Sequence, residues 1–269
     1  MSLDKRRGFA ITQHDLSPRE LERYARQMGP AVMSHEGQLR LKRSSALVTR
    51  VGGMGGPAAL CLAMAGVGRV VIAHGGEMIL PDLNRQVLGS EAVIGKPRAP
   101  HFAETLRAMN HHVEVIAIDH EPDRDEAREW AAEVDIILAC PPTFAERMLL
   151  NEAAVSAGKP LIDAAQWGMM GSLIVVDPKR TACLKCIYPN EPEFEEFFPV
   201  VGAISSAIGS FAALEAIKIL SGTGHSTAGR MLMFDGHDNQ TRMVDLQRDE
   251  KCPVCGGVDR PAKESKSLH

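Results

Sequence analysis

A short apolar run, Ala46 to Thr49, passes through Val51-Gly52-Gly53-Met54-Gly55-Gly56-Pro57 into a run of small residues, Ala58 to Ala65. A strand that ends in a glycine turn and continues as a helix must cross back over the sheet before its next strand. The chain is thereby committed to parallel pairing and right-handed crossovers.

The same alternation continues downstream. Val70–Ala73, Val113–Ile118, Asp135–Ala139 and Pro160–Asp163 read as strands. Pro97–Met109, Asp123–Ala132 and Thr143–Ala157 read as the helices between them. After Asp163 the rhythm changes: Gly171–Val176, Met231–Phe234 and Thr241–Leu246 read as strands without crossover helices, and Val201–Leu220 as one long helix. The expected fold is an α/β, Rossmann-like doubly wound mixed sheet, largely parallel in its N-terminal half. Residues 15–43 carry a helical apolar period broken near Gly29-Pro30, so residues 1–43 are expected to form an N-terminal helical arm. Residues 44–257 then make a single α/β domain, and the polar stretch 258–269 a disordered tail.

Composition removes several function classes. Thirty basic residues against 34 acidic ones leave a formal charge of −4, which offers no field for nucleic acid or an anionic membrane. Ala58–Val67 and Ile204–Leu220 are interrupted by polar residues, so no membrane span is expected. With no apolar signal segment in residues 1–14, the expected address is cytoplasmic.

Four of the six cysteines form two Cys-x-x-Cys pairs, Cys183/Cys186 and Cys252/Cys255. Each pair offers two thiolates from one tight turn, and four thiolates close a tetrahedral zinc shell with no open position. The expected metal is therefore structural. A redox role is disfavoured, since neither pair is expected to open a helix in a thioredoxin-like βαβ context. Cys61 and Cys140 read as buried structural thiols.

The glycine turn has a chemical reading as well as a packing one. Backbone amides at a helix N-terminus bind phosphate without obstruction when Gly52, Gly53, Gly55 and Gly56 carry no side chains, although such glycines also serve close helix–strand packing. Leu83-Asn84-Arg85-Gln86 follows the second strand, and Arg98 opens a helix. Both arginines are placed to face phosphate or to remain solvated surface charges.

Together with Arg23-Tyr24-x-Arg26-Gln27, Ala65-Gly66-Val67-Gly68, Gly158-Lys159-Pro160-Leu161, Leu214-Glu215-Ala216-Ile217-Lys218 and Cys252-Pro253-Val254-Cys255-Gly256, these segments resemble the ThiF/MoeB/HesA (E1-like) superfamily. The resemblance runs from about Leu21 to Gly256. It implies a homodimer that uses ATP and Mg²⁺ to adenylate the C-terminal carboxylate of a β-grasp sulfur-carrier protein or a precursor peptide. It further implies that Arg85 and Arg98 neutralise phosphates, that Asn84 and the four glycines hold nucleotide, and that Arg26 reaches the neighbouring subunit's site.

The sequence departs from that pattern in four places. His74 stands where the family has a ribose-binding acid, Pro142 where it has a metal-binding Asp, and Arg50 where it has a first glycine. No cysteine lies between Cys186 and the long helix, so a thioester is not expected. An adenylyltransferase is thus expected to lead, with a catalytically degenerate partner-binding scaffold as its alternative and a nicotinamide oxidoreductase well behind. Trp167, read as lying in the loop after the fifth strand, is a candidate for stacking or for holding a substrate tail. The methionines read as packing, His111-His112 as exposed, and the acidic-aromatic run 193–198 as a loop that covers a partner or stays solvated.

Overall fold

The computed structural model describes residues 15–30, 32–192 and 199–258. The run 193–198, the tail from residue 259 and the first 14 residues lie outside the described residues.

Two helices form the arm, α1 (Pro18–Tyr24) and α2 (His35–Arg43). Ser17 caps α1 in a capping box with Glu20, and Ser34 caps α2, so both starts are written locally. Strand β1 (Ser45–Thr49) then leads through the glycine turn into α3 (Gly55–Ala65), which ends on left-handed Gly66. Next come β2 (Arg69–Ala73), α4 (Arg98–Met109), β3 (Glu114–Ile118), α5 (Arg124–Glu133), β4 (Ile136–Ala139), α6 (Phe144–Ala157) and β5 (Leu161–Trp167). Strand β6 (Met170–Val176), the single turn α7 (Leu184–Ile187), α8 (Gly202–Ser221), β7 (Arg230–Asp235) and β8 (Gln240–Asp245) complete the chain.

The eight strands make one sheet in the order β3-β2-β1-β4-β5-β6-β7-β8. The first five are mutually parallel; β6, β7 and β8 are antiparallel additions. The order reverses between β1 and β4, where the crossovers on the two sides diverge and leave a crevice at the carboxyl ends of the strands.

Alternation along the strands divides the core between the two faces. Ala46, Val48, Val70, Ile72, Ile136 and Leu138 point to the side covered by α3, α4 and α8. Leu47, Val71, Ile137 and Ala139 point to the side where α5 and α6 deliver Trp130, Leu150 and Ala154. Helix α8 has the length and apolarity of a membrane span, yet Ile204, Ile208, Ala212 and Ala216 are buried against the sheet. Its buried Glu215 accepts from Ser226 Oγ at 3.0 Å and from the Thr227 amide at 2.9 Å, as in a core helix of the domain.

Three expectations need correction. Strand β5 continues to Trp167, because Ala164 to Trp167 pair antiparallel with β6, Gln166 opposite Gly171. Trp167 therefore ends a strand and does not sit in a loop. Gly55 and Gly56 are the first residues of α3, not turn residues ahead of it. Cys183 does open a helix, the single turn α7, although no βαβ unit surrounds it.

Candidate functional site

The crevice holds a cavity of about 510 Å³, with Gly52, Gly53, Met54, Arg50, His74 and Arg85 at its β1–β2 end. No side chain caps the start of α3, where Met54 occupies the capping position. The N-terminal dipole end of that helix is therefore open toward the cavity. Space here depends on missing side chains: a Cβ at Gly52 would sit 3.2 Å from His74 Cε1, and one at Gly53 3.0 Å from Ser205 Oγ and 3.1 Å from Arg85 Cγ. Gly55 and Gly56 lie outside the lining. A Cβ at Gly55 would be 2.6 Å from the Arg50 carbonyl oxygen, so this glycine serves helix–strand packing.

Arg85 follows a 3-10 turn, Leu80–Asn84, and lines the cavity. Its guanidinium donates to the Pro81 carbonyl at 2.8 Å and to Asn84 Oδ1 at 2.9 Å, and pairs with Asp82 at 3.2 Å. Arg98 pairs with the other oxygen of Asp82 at 2.6 Å, donates to the Gly75 carbonyl at 3.0 Å and lies 3.4 Å from His74 Nε2. Buried Asp82 thus ties together the two arginines read from the sequence, although Arg98 and Asn84 stand behind the lining. Arg26 is exposed on the arm, away from this cavity.

His74 and Gln86 form a buried polar patch against Gly52. Oε1 of Gln86 is buried and makes no hydrogen bond, and the His74 ring lies against the Val51 backbone. Burial pushes the His74 pKa down from 6.5 to about 4, with the Arg98 and Arg50 charges adding to the effect, so the ring is neutral at pH 7.

Arg50 has a left-handed backbone, φ +53°, which sends its side chain across the strand ends. Nη1 meets Glu121 at 2.7 Å and Nε meets Glu146 at 2.9 Å. Glu121 also accepts from the Gly75 amide at 2.9 Å, while burial raises the Glu146 pKa against the lowering effect of Arg50. Across the cavity Arg147 is buried and committed to Asp163 at 2.6 Å, to the Ala164 carbonyl at 3.0 Å and to the Pro141 carbonyl at 2.5 Å. Cys140 also lines the cavity, but burial pushes its thiol up to about 12, which leaves it protonated and unreactive. Trp167, 47% exposed, closes the far end with Met170 and Met233.

Sequence reasoning missed Asp82, Glu121, Glu146, Arg147 and Asp163. Only Asp82 gave a local signal, as an acid shortly ahead of Arg85 at the end of the second βα connection.

The cysteines meet on the α5–α6 side of the sheet. Cys183, Cys186, Cys252 and Cys255 bring their sulfurs within 4.8 Å of one another. Separations of 3.4, 3.7 and 4.0 Å bracket the edge of about 3.8 Å expected for a tetrahedron with metal–sulfur bonds of about 2.3 Å. Asn151 on α6 accepts the Leu184 amide at 2.9 Å and positions the first pair. None of the four lines the cavity, which separates this cluster from the crevice chemistry.

The model of the ThiF family matches residues 24–254. The chain is 43% identical over 243 residues to "Protein HesA" of Leptolyngbya boryana, covering 90% of this chain and 88% of that protein. It is 35% identical over 246 residues to the "Sulfur carrier protein ThiS adenylyltransferase" of Escherichia coli strain K12, covering 90% and 98%. Among solved structures, E. coli MccB with ATP superposes with a TM-score of 0.73 at 19% identity, over 82% of this chain and 68% of that one. MccB with AMPCPP and the selenomethionine form of MccA gives 0.74 at 21%, over 82% and 69%. These structural likenesses are to the fold.

Proposed function

Because the chain belongs to the ThiF family, we propose that it is an ATP-dependent adenylyltransferase that activates the C-terminal carboxylate of a small carrier protein or peptide. The observation that carries this reading is the cavity itself: a helix start free of side-chain caps and an oriented arginine, Arg85, meet at the point where the strand order reverses. In the proposed step a carboxylate oxygen of the substrate bonds to the α-phosphorus of ATP while the bond to the pyrophosphate oxygen breaks. The products are an acyl-adenylate and pyrophosphate, and no protein nucleophile takes part. Arg85 spreads the charge that gathers on the leaving pyrophosphate, and Asp82 fixes its orientation in advance. Trp167 and its apolar neighbours hold the incoming tail.

Zinc fits the cysteine cluster by donor type and by sulfur separation, and with all four positions filled it supplies structure only. The proposed enzyme works as a homodimer in the cytoplasm, with exposed Arg26 extended toward the neighbouring subunit.

Calorimetric titration with ATP tests the nucleotide reading. Arg85→Ala is expected to weaken binding by roughly 1–3 kcal/mol, the scale of a lost charged hydrogen bond. Pyrophosphate exchange should then appear only with the cognate carboxylate present. If ATP binds neither protein, the second reading stands, a partner-binding scaffold, which His74 and Pro142 at the family's acidic positions favour.

A further inference from the structure

Among the described residues that line the cavity there are three arginines, Arg50, Arg85 and Arg147, and no aspartate or glutamate. Mg²⁺ takes oxygen ligands and is usually anchored to protein by one or two carboxylates. The loop beyond β4 offers Pro141-Pro142 instead, so the donor set does not fit a protein-held divalent ion. What occupies this part of the wall is a guanidinium. Arg50 lines the cavity, and two carboxylates grip it from behind at 2.7 and 2.9 Å through Nη1 and Nε. That leaves Nη2 with no bond to either acid.

The second observation is independent of charge. The Oε1 of Gln86, a residue 5% exposed, is a buried acceptor without a partner on the wall next to Arg50, placed for a hydroxyl or amino group of a ligand. A buried acceptor without a partner is unfavourable, and a nucleoside hydroxyl donating to it would remove that cost. The wall thus combines a guanidinium held between two carboxylates with one uncharged acceptor.

We infer that Arg50 takes the place of a divalent cation, so that this site binds a polyphosphate through guanidinium groups and backbone amides without protein-held metal. The inference rests on the nucleotide reading of the same cavity. The geometry is preorganised: Glu121 and Glu146 hold the guanidinium plane against the cavity, and they present no oxygen to the lining. A left-handed residue at position 50 would favour glycine; here arginine bears that conformational cost and carries its charge into the crevice.

The test is calorimetric titration of the full chain with ATP and with inorganic triphosphate, with Mg²⁺ in excess and again with chelator in excess for magnesium. Parent Kd values are expected to change by less than about threefold on removing Mg²⁺, well under the tenfold that 1.4 kcal/mol represents. Arg50→Gly, which relieves the left-handed backbone, is expected to raise the metal-free Kd about tenfold or more. Because that change leaves Glu146 unpaired, the Arg50→Gly/Glu146→Gln variant is measured beside it, with a thermal melt to show that it is folded. Arg50→Lys should fall between parent and Arg50→Gly. The inference fails alone if ATP binds the parent only with Mg²⁺, or if the folded double variant binds ATP as tightly as the parent without metal. If the parent binds neither ATP nor triphosphate under either condition, the inference and the nucleotide reading fail together.

Discussion

His74 shows how burial, helped by the nearby Arg98 and Arg50 charges, sets a charge state in this site. Its pKa lies well below that of an exposed imidazole, so between pH 6.5 and about 4 the unfolded chain binds a proton there that the folded chain does not. Stability from this group is present above pH 6.5 and is lost as the pH falls toward 4. Urea unfolding across that window should show the parent losing roughly 3 kcal/mol more than His74→Gln, from the 1.36 kcal/mol attached to each pKa unit. Parallel stability profiles for the two proteins would reject the neutral, buried ring. Residue by residue, what the sequence revealed was what is local. The Cys-x-x-Cys pairs and Arg85 were found because a few neighbouring letters carry their chemistry. Glu121 and Glu146 escaped because their meaning lies in Arg50, and Glu146 is 96 residues away from it along the chain.

At the scale of elements, the glycine turn depends on the helix that passes beneath it. Helix α8 approaches so closely that a Cβ on Gly209 would run into the carbonyl oxygen of Met54, well inside contact distance. Gly209→Ala should therefore displace either the turn or the helix, at a cost of about 2–3 kcal/mol for overpacking a rigid contact. The same substitution should weaken ATP binding, since Met54 caps α3 beside the cavity. A variant with an unchanged denaturation midpoint would show that the approach is looser than described. The strands of the parallel half were legible because apolar alternation and glycine punctuation mark them. The continuation of β5 through Ala164-Ala165-Gln166-Trp167 was not, for those residues have no strand signal of their own and become strand by pairing with β6.

For the whole molecule, the cysteine cluster joins segments that the sheet does not join directly. The parent should return one zinc per chain on metal analysis. Chelation or Cys252→Ser should lower the melting temperature and expose the C-terminal hairpin to protease. A metal-free parent, or a variant that melts like the parent, would remove zinc from this account. The two cysteine pairs lie 69 residues apart, counted from Cys186 to Cys255, and the excursion between them contains α8, β7 and β8. Joining the ends of a loop that long removes about 4 kcal/mol of chain entropy from the unfolded state on a simple closure estimate. During synthesis the second pair emerges only after α8 and both hairpin strands have left the ribosome. The parallel half can then collapse first, while the segment that carries the helix supporting the glycine turn is closed last, when the second cysteine pair meets the first.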